Sequence, residues 1–378
     1  MPSVRPPFTV GIEEEYFVVD RETRDLVDDL PDELLDDLAH PPIGLTSPEF
    51  IRSQVEIGTP VAKDMTEVAE CLATMRRFVA DTVNEHGMAI ISASTHPFAD
   101  WSQQQHTDKA RYNLLEEALQ GVVRRLLICG MHVHVGISDE DLRIDLMNQI
   151  TYFLPHLLAI SGSSPYWHGQ DTGLKSYRTT VFRSMPRTGL PDEFDSWSEY
   201  RRHVDVLVGT GVIEDASKLW WDIRPSARYP TLEMRSTDIC TRVSDALAIA
   251  ACYQSLLATL YRLRMQNKRW RIYSRMLIQE NSWRAQRYGV DESLIDFGRG
   301  TLVPVGDLMN ELIDIIEQDA SDIGALSHVE HIRTIVAEGT SADRQRRVYA
   351  DAIASGAEPR DGLIAVVDHL IAETVEGL

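Results

Sequence analysis

At 378 residues and 43% hydrophobic, the chain can bury a sizeable core as one large domain or two and is too apolar to be disordered. Its formal net charge of -21 counts against a nucleic-acid backbone or an anionic membrane as partner, so any phosphate it handles must meet a local cluster of cations or a metal. Cys71, Cys129, Cys240 and Cys252 form no C-x-x-C pair and stand in apolar surroundings, which suits a reduced, cytoplasmic protein and disfavours structural zinc. The N-terminal "MPSVRPPFTVGIEEE" lacks the apolar stretch of a signal peptide, and the apolar run from Ala246 to Tyr261 is too short to span a bilayer.

The first predicted strand, 8–19, contains "GIEEEYFVVD". Side chains at i and i+2 of a strand share a face roughly 6.5–7 Å apart, so Glu13 and Glu15 point together while Glu14 points away. Two ionised carboxylates at that spacing repel by about 2–2.5 kcal/mol at an effective dielectric near 20. Either the strand presents an exposed acidic face or it needs a cation, and its apolar neighbours Val10, Ile12, Phe17, Val18 and Val19 favour the cation. On this register Glu13→Gln or Glu15→Gln is expected to cost at least about 10²-fold in rate and Glu14→Gln to be nearly silent in rate.

The acidic stretch 20–40 reads as a solvated connection. A strand at 50–57 carries Glu56, with Glu49 just before it; a helix at 64–86 and a strand at 87–95 follow. After a helix at 108–122, the strand 126–137 contains "GMHVHVGI", placing His132 and His134 on one face and Met131, Val133 and Val135 on the other. A single strand histidine is usually a hydrogen-bonded core residue, whereas two in alternation suggest ligands.

Helices are predicted at 141–161 and 194–209, then strands at 219–224 and 230–236. The last contains "TLEMRSTD", in which Glu233 and Arg235 share a face, either as a cross-strand salt bridge or as a metal ligand beside a cation poised over a phosphate. Helices at 243–265, 305–318 and within 327–376 complete the chain. Strands and helices do not alternate as βαβ units and several strands have period-2 patterning, so the expected fold is α+β with a largely antiparallel sheet, in a single catalytic domain over 1–378 that is mainly helical from about 305. No Walker loop, zincin spacing or nucleophile elbow occurs, and "GTGVIE" at 209–214 lacks the third glycine of a dinucleotide fingerprint.

The patterns G-x-E-x-E-x-F at 11–17, Q-x-E at 54–56, "GMHVH" at 130–134 and E-x-R at 233–235 resemble, in order, the sheet motifs of the glutamine synthetase superfamily. With "THPF" (95–98), "SPYWHGQDTGLKSYR" (164–178), "PRTGLP" (186–191) and "WWDIRP" (220–225), the chain is similar to the carboxylate-amine ligase branch of the bacterial glutamate-cysteine ligase family over about 8–350. That resemblance implies an antiparallel sheet forming a funnel, with ATP entering one end and the acyl and amine substrates the other. It implies Mg²⁺ or Mn²⁺ on sheet carboxylates: Glu15, His132 and Glu233 match the ligands of one ion, Glu13 and Glu56 those of another. Glu49 is a further ligand candidate whose spacing to Glu56 departs from the superfamily pattern, and Ser94 in "ASTHPF" stands where relatives carry Gly. By the same resemblance His134, Arg224 and Arg228 would meet ATP phosphates, Arg178 the substrate, and Arg235 the transferred phosphoryl group.

These assignments imply an ATP-dependent ligase that activates a carboxylate, glutamate's γ-carboxylate above all, as an acyl phosphate for attack by an amino acid amine. Phosphoryl transfer requires charge neutralisation and positioning more than a covalent nucleophile, and oxygen ligands plus imidazole suit Mg²⁺ or Mn²⁺. Two other functions use the same residues: a metal-dependent amidohydrolase activating water, and a catalytically silent binding member. The expected partners are small molecules, with a homodimer as the assembly.

Overall fold

Seven strands form the main sheet: β1 (Val10–Asp20), β2 (Leu45–Pro48), β3 (Gln54–Gly58), β4 (Met88–Ile91), β5 (Met131–Gly136), β6 (Ile223–Pro225) and β7 (Thr231–Met234). They appear in a computed structural model that describes residues 5–378 apart from the Arg111 side chain; residues 1–4, part of the segment read above as lacking a leader, lie outside the described residues. The spatial order is β6-β7-β5-β1-β3-β2, with β4 also pairing with the C-terminal half of β1, and every pairing is antiparallel. The fold is therefore α+β, as the period-2 patterning implied.

One face of this sheet is apolar because alternate residues of each strand are. Ile12, Tyr16 and Val18 of β1, Val55 and Ile57 of β3, Val133 and Val135 of β5, and Leu232 and Met234 of β7 are all buried. Each contributes about 1.5–3 kcal/mol of burial free energy, which holds the strand registers, since a one-residue slip would turn every one of them to the other face. Helices Met65–Glu85, Glu140–Ile150 and Val243–Met265 cover this face. The last has 23 residues and is long and apolar enough to cross a membrane, but 89% of its most apolar window is buried inside the protein, where Tyr253 Oη donates to the Leu232 carbonyl and Gln254 Nε2 to that of Phe8.

Glu14 does point away from Glu13 and Glu15, yet it is not a bystander. It is fully buried on the helix-covered face, where Arg76 of helix Met65–Glu85 grips it with two bonds of 2.7 Å, Nε to Oε2 and Nη2 to Oε1. Arg76 also donates to the carbonyls of Thr241 (2.6 Å) and Cys240 (2.7 Å), and the Tyr16 hydroxyl donates to Glu14. A change at Glu14 therefore bears on the fold, whatever it does to the rate, because an isolated buried guanidinium would remain.

Several boundaries differ from the sequence reading. The acidic 20–40 stretch contains helix Asp32–Leu38 and buries Leu26, Leu30, Leu34 and Leu38, so its charges solvate one side of a packed segment. Strand 126–137 begins only at Met131, after a 3₁₀ stretch Gln120–Arg125, and helix 141–161 is broken by a 3₁₀ turn at Thr151–Phe153 ahead of Pro155, which cannot donate to a helical bond. Helix Arg275–Tyr288 and the edge strand β2 gave no clear periodic signal. From Val305 the chain is helical to Thr374 apart from short connections. These helices are fastened to the core by Arg344, paired with both Asp245 and Glu373.

Candidate active site

The register of the sheet decides what meets on its open face. Directly opposed residues share a face, and the pairs are Glu13 with His132, Glu15 with Glu56, Glu56 with Ser47, His134 with Glu233, and Glu233 with Arg224. A cleft of about 800 Å³ opens over them. All ten residues singled out as site candidates line it: Glu13, Glu15, Glu56, His132, His134, Arg178, Arg224, Arg228, Glu233 and Arg235; so does Glu49.

Two groups of acidic residues emerge. In the first, ligand atoms of Glu13, His134 and Glu233 all lie within 4.8 Å of one another. Glu13 Oε2 is 3.0 Å from His132 Nδ1 and Glu13 Oε1 is 3.4 Å from His134 Nε2. His134 Nδ1 is anchored to the Thr231 hydroxyl at 2.9 Å, which aims Nε2 at the carboxylates, and Nε2 is buried without a hydrogen-bond partner. An imidazole whose one nitrogen is fixed by a neighbour and whose other faces two carboxylates has the donor set of a divalent cation site. Burial depresses His132 to about 4, with Arg235 adding to the effect, so this ring is neutral near pH 7. Burial would raise Glu13, but the hydrogen bond from His132 and the nearness of His134 outweigh it and hold Glu13 well below the usual carboxylate range.

The second group is Glu15, Glu49 and Glu56. Burial, then the nearby Glu49 carboxylate, raise Glu15 to about 8. Glu56 is pushed well up by burial and then by Glu49, Glu13 and Glu15. Such mutual elevation marks a place short of positive charge, which a divalent cation would supply. The resemblance joined Glu15 with His132 and Glu233, and Glu13 with Glu56, and the Glu13 carboxylate does act on Glu56. Glu15 lies opposite Glu56 and is held by the Gly130 N–H at 2.7 Å, while Glu13 lies opposite His132.

The cations are arranged behind these groups. Arg224 clasps Glu233 with Nε at 2.9 Å and Nη2 at 3.0 Å, and its Nη1 donates to the carbonyls of Ser217 and Leu219, both at 2.8 Å. Four of its five N–H groups are thus engaged by protein, so Arg224 acts as a brace for Glu233 with one N–H left to offer a phosphate. Arg235 reaches Glu233 Oε1 at 2.5 Å and lies 3.3 Å from His132 Nδ1, while its Nε is buried without a partner. Burial would raise Glu233, but Arg235 and Arg224 overcome it and keep it well below the usual carboxylate range. Arg178 is buried with a single long bond, Nη2 to the Arg235 carbonyl at 3.4 Å. It lies so close to Gly130 that a Cβ there would sit 2.4 Å from Nη2, so a larger residue at 130 would have to displace the guanidinium. Arg228 is exposed on the turn that precedes β7, at the cleft mouth.

Thr231, which orients His134, and Gly130, which admits Arg178, were missed from sequence. Thr231 had a legible signal, being two residues before Glu233 and so on the same strand face; Gly130 had none.

Comparison with known proteins identifies close relatives of the whole chain. The family model described as glutamate-cysteine ligase family 2 matches residues 9–369. A Rhodospirillum rubrum protein named "Putative glutamate--cysteine ligase 2" is 57% identical, covering 99% of this chain and 97% of its own; one of the same name from Jannaschia sp. is 51% identical, covering 96% of each. Among solved structures, the glutamate–cysteine ligase of Francisella tularensis in complex with AMP superposes with a TM-score of 0.69 at 15% identity, over 97% of this chain and 89% of that one. A bifunctional glutathione synthetase from Pasteurella multocida also gives 0.69, at 16% identity, over 98% of this chain and 53% of that one. At such identities the two structures establish a shared fold.

Proposed function

The chain belongs to glutamate-cysteine ligase family 2 and is an ATP-dependent ligase, and we propose that it joins the γ-carboxylate of glutamate to the amine of an amino acid such as cysteine by way of an acyl phosphate. The observation that carries this reading is the cleft in which the Glu13, His134 and Glu233 ligand atoms converge, beside Glu15, Glu49 and Glu56, against a bank of guanidinium groups. Glu13, His134 and Glu233 would hold one Mg²⁺ or Mn²⁺, and Glu15, Glu49 and Glu56 a second. When bound, these ions neutralise charge on the ATP phosphates and on the phosphoryl group in transit.

The protein's own side chains do the rest. The β6–β7 side of the cleft carries Lys218, Arg224 and Arg228 with Trp220 and Tyr229, a combination suited to nucleotide phosphates and a stacked base. Arg235 stands where a γ-phosphoryl group would lie between nucleotide and carboxylate, with a free buried N–H to follow the moving charge. Arg178, underpaired and buried, attracts an anionic substrate. The β2–β3 side, with Glu15, Glu49 and Glu56, favours the approach of an amine. The amidohydrolase reading leaves Arg178 and Arg235 without a task, and the silent-member reading leaves both acidic groups without one.

A homodimer and a cytoplasmic location belong to the same proposal; four free cysteines, three of them buried, support the location, and a light-scattering mass tests the dimer. The deciding experiment is nucleotide product analysis with Mg²⁺, glutamate and a panel of amino acids. ADP and phosphate in equal amounts, lost on adding EDTA and restored by Mg²⁺ or Mn²⁺, are expected. AMP and pyrophosphate would replace the acyl phosphate by adenylation, and turnover undiminished by chelation would sink the ligase mechanism.

A further inference from the structure

The motif "PRTGLP" has no role in the chemistry above, and its Arg187 stands in a backbone conformation that suits it poorly. Its φ is +59°, in the left-handed region that glycine enters freely and a residue with a side chain rarely does. Such a conformation persists where the surroundings impose it, and Arg187 makes two contacts to one short strip of chain. Its Nε donates to the Lys218 carbonyl at 3.0 Å, and its guanidinium lies over the Trp220 ring, 5.0 Å from the centroid. The next two residues, Thr188 and Gly189, pair in parallel with Trp220 and Trp221, and the Gly189 carbonyl accepts the Asp222 N–H at 2.8 Å.

The strip from Ser217 to Trp221 leads into β6 and walls the main cleft through Ser217, Lys218 and Trp220, whereas Arg187 does not line that cleft. Three successive carbonyls of the strip are bound: Ser217 and Leu219 by Arg224 Nη1, each at 2.8 Å, and Lys218 between them by Arg187. Arg224 thereby stitches the strip to Glu233, and Arg187 holds it from behind. Alternation along the strip separates its two indoles. Trp221 packs on Phe194 and Tyr200, with centroids 6.0 and 6.3 Å apart, against the core; Trp220 faces the cleft and stands outside the core cluster. Among the described residues the ring contact of Trp220 is with Arg187 alone. An indole outside the core is free to turn about its side-chain bonds, so the guanidinium laid on one face fixes it and leaves the other face to the cleft.

We infer that Arg187 is a positioning residue for the nucleotide: from outside the cleft it clamps Trp220 and Lys218 so that Trp220 presents a flat face on which the base stacks. The inference rests on the nucleotide half of the ligase reading and adds a residue that never touches the nucleotide. Its effect is preorganisation, since a ring already held in place loses no freedom when the base arrives.

The test uses Arg187→Gly, because a φ of +59° suits glycine and the variant keeps the turn while removing the guanidinium. Calorimetric titration with Mg²⁺ and ADP should show about tenfold weaker binding than wild type, whereas tripolyphosphate with Mg²⁺, which has phosphates and no base, should bind both proteins equally. In turnover, ATP KM should rise by about tenfold, with kcat and the KM for glutamate within about twofold of wild type. Arg187→Lys, which keeps a cation able to reach both ring and carbonyl, should recover most of the loss. Trp220→Ala should weaken ADP binding by a similar factor, and adding Arg187→Gly to it should cost little more, as for two residues acting through one contact. Tripolyphosphate binding weakened as much as ADP binding would overturn the inference, since Arg187 would then act on the phosphates or on the fold. So would additive losses in the double variant, or ADP binding by Arg187→Gly or Trp220→Ala within about twofold of wild type. Base-dependent binding that is lost in Arg187→Gly, with no ADP release for any carboxylate, would keep the platform and discard the ligase reading.

Discussion

Changing Glu14 to Gln should leave the chemistry intact and weaken the fold. Glu14 and Arg76 are both wholly buried, and two of the three remaining N–H groups of Arg76 bond the carbonyls of Cys240 and Thr241, so it cannot swing toward water. The amide keeps the volume of the carboxylate but turns an NH₂ group toward one guanidinium N–H and leaves the positive charge uncompensated. Removing one partner of a buried pair costs about 3–5 kcal/mol. For a chain of 378 residues, an unfolding entropy of about 2.1 cal/mol/K per residue converts each kcal/mol into a Tm shift of about 1.3 °C. The expected fall is therefore about 4–7 °C, with ADP release per folded molecule close to wild type at 25 °C. Replacing both partners, as Glu14→Leu with Arg76→Met, should recover most of the loss, since apolar pairs of similar volume often match buried ion pairs. A melting curve for Glu14→Gln within about 1 °C of wild type would refute the assignment of Arg76 as a desolvated, otherwise captive cation.

Arg235→Lys keeps a charge near Glu233 but loses the planar fork and the free Nε–H, so kcat should drop by about 10²-fold or more with ATP KM and Mg²⁺ dependence changed far less; a lower Tm with kcat within a few fold would reduce Arg235 to a strand-to-strand salt bridge. His96 of "THPF" accepts the N–H groups of Phe98 and Ala99 on Nδ1 and faces the Arg24 carbonyl through Nε2, and burial depresses it to about 4 from 6.5. Its folded form therefore holds fewer protons than the unfolded chain between these values, so stability is full above about pH 6.5 and is lost as pH falls toward 4. Urea midpoints at pH 7 and pH 5 should differ less in His96→Gln than in wild type; equal differences would show that His96 is not the group titrating.

The open face of the sheet was legible because β-strands have period 2 and the polar residues keep to it. Glu13, Glu15, His132, His134, Glu233 and Arg235 could be assigned to one side before any register was known. Which of them stand directly opposite one another could not, because that depends on which residue of β1 faces which residue of β3 and β5. Pairing across strands 40 or 120 residues apart is fixed by the buried Val, Ile and Met positions of all strands together, and no local pattern reports it. The partner of Glu14 was missed for a related reason. In a sheet with helices on its other face, pointing away from the site means burial. A charged residue placed there needs a partner, and "MRRFVAD" in the helix Met65–Glu85 offered two arginines to choose from. The choice of Arg76 over Arg77 follows from helix phase: Arg76 falls one residue after Met75 and four after Leu72, on the stripe with Val79 and Val83 that faces the sheet. Reading both faces of β1 together, and asking each buried charge where its counterion must come from, leads to Arg76 without coordinates.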